Sequence, residues 1–156
     1  MSTPERERVV EELREAMQRS TLYTMLLHHT AAGKAGLNTT DAQCLNALSL
    51  EGPLTPGRLA ALMGLTTGGA ITAVIDRLER AGYVKRSRDP DDRRRVIVEL
   101  VPDTADRFSR HFEPVARAFA ERMSGYTDAE LRLLLGYVRE SNEEMPDLIE
   151  RVRRMP

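Results

Sequence analysis

Arginine supplies most of the chemistry on offer in this chain. Arg77 and Arg80 stand one helical turn apart, and Arg88, Arg93, Arg94 and Arg95 flank or fill the turn Asp89-Pro90-Asp91-Asp92. Guanidinium groups at that density suit phosphate oxygens, and an arginine projected from a hairpin can enter a narrow minor groove, where the negative potential is strongest. Spacing alone leaves open which one would do so, with Arg93 and Arg94 favoured and Asp92 placed to pair with a neighbour. Just before Arg77, Thr66, Thr67, Gly68 and Gly69 put free backbone N–H groups at a helix start, a favourable spot for an anion. The two threonines suit helix caps as well as base or phosphate contacts. Asp76 sits beside these arginines and reads as an intrahelical partner of Arg80 or Arg77.

Other reactive residues are few. Cys44 is the single cysteine, so no intramolecular disulfide can form, and a buried inert thiol is the default for its place among Leu45 and Leu48. A thiol-responsive role through Cys44 is the competing reading. His28 and His29 are neighbours on one helix and point about 100° apart, and His111 lies far along the chain, so no metal site is expected. No nucleophile–base–orienter set and no Gly-rich phosphate loop after a strand is visible, which argues against an enzyme. No cofactor is implied.

The elements that must position the arginines follow from periodicity. Thr3 and Pro4 open a helix running to about residue 32, with Val10, Leu13, Met17, Thr21, Met25 and Leu26 on one face. Thr40 to Gln43 resembles a capping box for a second helix ending at Glu51-Gly52-Pro53. Thr55-Pro56 starts a short third helix closed by Gly64. Ala70, Ile71, Val74, Ile75 and Leu78 continue helical spacing to Gly82, leaving Gly69, Thr72, Ala73, Asp76 and Arg77 on the opposite face. Tyr83 to Arg88 and Arg95 to Val101 alternate as two strands of a hairpin. Ala105, Phe108, Phe112, Val115, Phe119 and Met123 form a helical seam that Pro114 must kink. Thr127 to Glu130 caps a last helix carrying Leu131, Leu134, Leu135 and Val138, then Leu148, Ile149 and Val152 beyond Pro146. The whole is mainly α (α+β). Residues 54–101 form a winged helix-turn-helix with DNA-binding character, because the major groove admits one helix.

Composition agrees. The 156 residues suit one domain. The formal charge of -1 hides an uneven distribution: residues 77–95 hold eight basic and four acidic side chains. No apolar run approaches the ~20 residues needed to span a bilayer, and MSTPERERVVEELRE lacks a signal-peptide core. A cytoplasmic protein without membrane partners is the expectation.

The segment LTPGRLAALMGLTTGGAITAVIDRLERAGYVKRSRDPDDRRRVIVELV resembles the DNA-binding domain of the MarR family of bacterial and archaeal transcriptional regulators. Its RLERAGYVKR junction and DPDDRR wing carry the likeness, although the Thr-Thr-Gly-Gly turn is one residue longer than the commonest version. The likeness extends over the flanks, so residues 1–156 are expected to form a single domain of that type, with 3–36 and 103–156 as dimerisation helices. The resemblance implies a homodimer on a pseudo-palindromic double-stranded DNA operator, usually a repressor, released by a small lipophilic or phenolic effector. It places the dimer contacts on the terminal helices, at Val10, Leu13, Met17, Phe112, Phe119, Leu131, Leu135, Leu148 and Val152. An effector pocket is expected around Met25, His29, Cys44 and Phe108, although Met17, Met25, Phe108, Phe112 and Phe119 also suit core or interface. The remaining alternative is a winged-helix module that docks proteins rather than DNA.

Overall fold

The computed structural model describes residues 3–65, 68–89 and 92–155. Thr66, Thr67, Pro90 and Asp91, singled out in the turn and the wing, lie outside the described residues. In order the elements are α1 (Pro4–Lys34), α2 (Thr39–Glu51), α3 (Pro56–Leu62), α4 (Gly68–Arg80), β1 (Val84–Arg88), β2 (Val96–Leu100), α5 (Pro102–Ser109), a 3-10 turn (Arg110–Phe112), α6 (Glu113–Met123) and α7 (Asp128–Arg153). They fall into two compact units, Met1–Phe112 and Glu113–Pro156.

The first unit holds the core. Leu59, Ile75, Leu78, Val84, Val98 and Cys44 are its largest fully buried side chains. Their positions show how the fold is joined: α4 buries Ile71, Val74, Ile75 and Leu78 in one cluster with Leu45 and Leu48 of α2, Leu59 of α3 and the two strand valines. Strands β1 and β2 pair antiparallel from Val84 opposite Leu100 to Arg88 opposite Val96. Leu54 adds a third backbone pairing. Its N–H donates to the Val98 carbonyl at 3.0 Å, and the Val98 N–H donates to the Leu54 carbonyl at 2.8 Å, tying the approach to α3 onto the hairpin.

Local signals account for most helix ends. The Thr3 hydroxyl accepts from the Arg6 N–H at the start of α1, and Thr55 does the same for Arg58 with Pro56 at the first helical position. Thr127 and Glu130 form a reciprocal capping box on α7. Two expectations need correction. The cap of α2 is Asn38, whose Oδ1 accepts from the Asp41 N–H at 2.8 Å, not Thr40; an amide two residues earlier starts the helix sooner and satisfies its first orphan donors. That shift frees Asp41 for a different task. The long seam from Ala105 to Met123 is also not one kinked helix. It breaks into α5, the 3-10 turn and α6, with Pro114 in the first turn of α6, where its missing N–H costs nothing. The division between units falls there, so α5 clusters with the first unit.

The second unit, α6 and α7, buries none of its described residues. Val115, Phe119, Leu134, Leu135, Val138, Leu148, Ile149 and Val152 all stay exposed. Along α1 only Ala31 and Ala32 are buried. Among the described residues no helix is long and apolar enough to cross a membrane.

The junction between α4 and β1 turns at Gly82, φ +77°, a left-handed backbone that a Cβ disfavours although nothing lies within 4 Å of where one would sit. Gly82→Ala should therefore cost about 1–2 kcal/mol through backbone strain alone. Urea denaturation of the two proteins, compared at equal slope, checks it.

Candidate nucleic-acid interface

Helix α4 turns its apolar side inward and leaves Gly68, Gly69, Thr72 and Ala73 exposed on the other. These small residues let the backbone come close to a partner surface. The Thr72 hydroxyl donates to the Gly68 carbonyl at 2.9 Å, which leaves its oxygen lone pairs to accept from a partner. On the wing, Arg88, Arg93, Arg94 and Arg95 are exposed. Among the described residues no acid pairs with the side chains of Arg88, Arg93 or Arg94. Arg95 does have one: its Nη1 lies 3.7 Å from Asp89 Oδ2.

Asp92 behaves otherwise than expected. Its carboxylate accepts from the Arg94 backbone N–H at 3.0 Å, and its carbonyl accepts from the Arg95 N–H at 2.9 Å. It shapes the turn and leaves the pairing of an arginine side chain to Asp89. The tip therefore offers two guanidinium groups held outward by a backbone turn.

Three ion pairs absent from the sequence expectations fix α4 in place. Arg77, expected to reach phosphate, directs its guanidinium at α2 instead: Nη2 lies 2.6 Å and Nε 3.2 Å from the two carboxylate oxygens of Asp41. Asp41 is 3% exposed, and its hydrogen bonds push the Arg77 pKa further up. A fork-to-carboxylate pair of this kind sets orientation as well as charge. Asp76, in turn, pairs with neither Arg77 nor Arg80 but with Arg86 of β1, Nη2 to Oδ1 2.5 Å, and Glu79 also pairs with Arg86. The missed signal was an acid at the third residue of α2 after an asparagine cap; its partner lies 36 positions away, beyond any helical periodicity.

The residues expected to line a ligand pocket separate into three groups. A cavity of about 540 Å³ opens between α1 and α2, lined by Met25, His29 and Leu22 with His28, Thr39 and Asn46. His29 Nδ1 is 3.3 Å from the Thr39 hydroxyl. A second cavity of about 320 Å³ shares His28 and Asn46 and reaches Phe108, Phe112, Ser49 and Ser109. Neither lining includes an acid, a lysine or an arginine. Phe112, expected at a dimer contact, is half-buried, its ring 5.1 Å from that of His28 and 5.5 Å from that of Phe108. Cys44 lines neither cavity; it is fully buried in the core. Among the described residues no cluster of three or more His, Cys, Asp or Glu could hold a metal ion.

Burial, then the Asp41 carboxylate, pushes the Cys44 thiol up from an ordinary 9.0 to about 11, the opposite of what a reactive thiolate needs. Alkylation by iodoacetamide at pH 8.5 should accordingly be slow in the folded chain and fast in urea. Since the folded thiol ionises later than the unfolded one, its contribution to stability should fade as pH rises from 9.0 toward about 11. Equal labelling rates with and without urea would refute the buried, protonated thiol.

The sequence model of the MarR family matches residues 35–95, from the end of α1 to the wing. The chain is 39% identical over 131 residues to the HTH-type transcriptional regulator YcgE of Bacillus subtilis, covering 84% of each protein. Among solved structures, a MarR family protein from Bacillus stearothermophilus superimposes with a TM-score of 0.68 at 25% identity, covering 90% of this chain and 97% of that one. The transcriptional regulator BldR from Sulfolobus solfataricus gives 0.57 at 29% identity, covering 91% and 99%. With a helix-turn-helix, an arginine-tipped wing and relatives that match along most of their length, this chain belongs to the MarR family of winged helix-turn-helix, DNA-binding transcriptional regulators.

Proposed function

We propose that the protein acts in the cytoplasm as a homodimeric repressor that binds a pseudo-palindromic operator and releases it when a small effector binds. The observation that carries the DNA side of this reading is the pairing of surfaces on one unit. A smooth, small-residue face on α4 lies in the same fold as a wing whose Arg93 and Arg94 are exposed and unpaired by any described acid. Gly68, Gly69, Thr72 and Ala73 would meet the major groove, and Arg93 or Arg94 the minor groove, with Arg88 and Arg95 near the backbone. Arg77 holds the helix through Asp41. Thr66 and Thr67, which precede Gly68 in the sequence and lie outside the described residues, would complete the contact with phosphate.

Support for a homodimer comes from α1, α6 and α7, which leave Val10, Leu13, Met17, Phe119, Leu135, Leu148 and Val152 exposed, with Leu131 half-buried. Amphipathic helices gain most of their stability from covering such a stripe, and a second copy presents a matching one. Two-fold symmetry would then set two α4 helices about 34–36 Å apart, one turn of duplex.

Support for an effector comes from the cavity beside α2. Its volume falls in the range that holds a small organic ligand, and its apolar wall with hydroxyl, amide and imidazole groups fits a lipophilic or phenolic molecule. Because α2 also grips α4 through Asp41, a ligand that displaces α2 would favour a form in which the two reading helices no longer match the operator.

A gel-shift titration with DNA from upstream of its own gene should give a specific complex whose affinity falls on the order of 10³-fold between 50 and 200 mM salt. Arg93→Ala with Arg94→Ala should weaken it; binding that is salt-insensitive, or indifferent to these changes, would point to a protein-docking module instead. In sedimentation, the wild-type chain should run as a dimer and Leu135→Glu should shift it toward monomer, because a charge cannot be buried unpaired at such a contact. A wild-type chain that stays monomeric at micromolar concentration would defeat the homodimer.

A further inference from the structure

The recognition helix carries two acids, Asp76 and Glu79, three residues apart on the side that faces the wing. Carboxylates there repel DNA, so their presence calls for a reason. Both are held by one residue. Arg86 Nη2 meets Asp76 Oδ1 at 2.5 Å, Arg86 Nη1 pairs with Glu79 Oε2, and the Arg86 backbone N–H donates to Glu79 Oε1 at 3.0 Å. Glu79 thus grips the main chain and the side chain of the same strand residue. A planar guanidinium spanning two carboxylates resists rotation in a way that a single contact does not.

We propose that Arg86 is a positioning residue: with Asp76 and Glu79 it sets the angle between the recognition helix and the wing, and so where Arg93 and Arg94 fall on the duplex. The inference rests on the reading that α4 and the wing bind DNA together. Its mechanical basis is the order of attachments along β1. Val84, Arg86 and Arg88 share one face of the strand; Val84 is buried in the core, Arg86 is clamped to α4, and Arg88 is exposed. On β2 the Leu54 pairing reaches Val98, directly opposite Arg86. Beyond that rung the hairpin runs on as two strands toward Arg93 and Arg94, and a two-stranded ribbon is only marginally stable on its own. The arginines at the tip lie on the order of 10–15 Å past the clamp, at ~3.3 Å per strand residue. A swing of about 10° would displace them by about 2 Å, a third of the ~6 Å width of the minor groove.

The alternative is an ordinary surface ion pair, with Arg86 merely masking two acids. Removing the acids while keeping the arginine separates the two. Asp76→Asn with Glu79→Gln adds two units of positive charge to the DNA-facing side, so masking alone predicts tighter binding. Positioning predicts that affinity for a DNA fragment selected by the wild-type protein falls about fivefold or more, the scale of one lost specific contact, while binding to random duplex rises or stays level. In an Arg93→Ala, Arg94→Ala background the fall should vanish, because nothing at the tip remains to be placed. Arg86→Lys, which keeps the charge but loses the fork, should give the same pattern and covers the case in which the double variant fails to fold; circular dichroism of each variant monitors that. Tighter or unchanged specific binding, or an equal loss in both backgrounds, overturns the proposal. Failure of the wild-type protein to bind any fragment would instead defeat the DNA-binding reading itself.

Discussion

Ile71, Val74, Ile75 and Leu78 leave water when α4 packs into the first unit, and the rest of the molecule depends on that one buried face. Each such side chain contributes roughly 1.5–3 kcal/mol on burial, enough to hold the helix down but not to fix its rotation. Apolar contacts are non-directional. Direction comes from ions placed on either side of the apolar stripe: Asp41 of α2 takes Arg77, and Arg86 of β1 takes Asp76 and Glu79. Adjacent residues 76 and 77 thus reach opposite ways, one to the wing and one to the second helix. The face between them is left small and uncharged.

That division explains how a chain of net charge -1 can present a basic surface. Charges on the DNA-facing lobe are sorted by partner more than by number. Acids on α4 are drawn to Arg86, Asp89 takes Arg95, and Asp92 is used on the backbone of its own turn. What stays unpaired among the described residues of the wing is positive. Net charge averages over this sorting and so carries little information about a nucleic-acid partner.

The cavity wall and the recognition helix meet in α2. Its residues Thr39 and Asn46 face the larger cavity, while Asp41, Cys44, Leu45 and Leu48 are buried toward the core. A short helix with a ligand-sized space on one side and an ionic grip on α4 on the other is well placed to couple the two. Such coupling needs only a small difference in free energy between two arrangements. Cys44, buried in the core and lining neither cavity, contributes packing.

Much of the fold was legible because its signals are local. Caps at Thr3, Thr55 and Thr127, the left-handed glycines 64 and 82, the inward face of α4 and the alternation of β2 all follow from contacts within four residues or from strand pleat. Where local signals competed, sequence reading went astray: Asn38 outbid Thr40 as a cap, and Pro114 ended up starting a helix where a kink was expected. Periodicity and capping, which need no knowledge of the remote chain, set the type of most elements, and the pool of arginines is plain from composition. Which of those charges stay free emerges only when the elements pack. Arg77 and Asp41 are 36 residues apart, Arg86 and Asp76 ten, and a charge finds its partner through the packing of whole elements, which one-dimensional spacing does not encode.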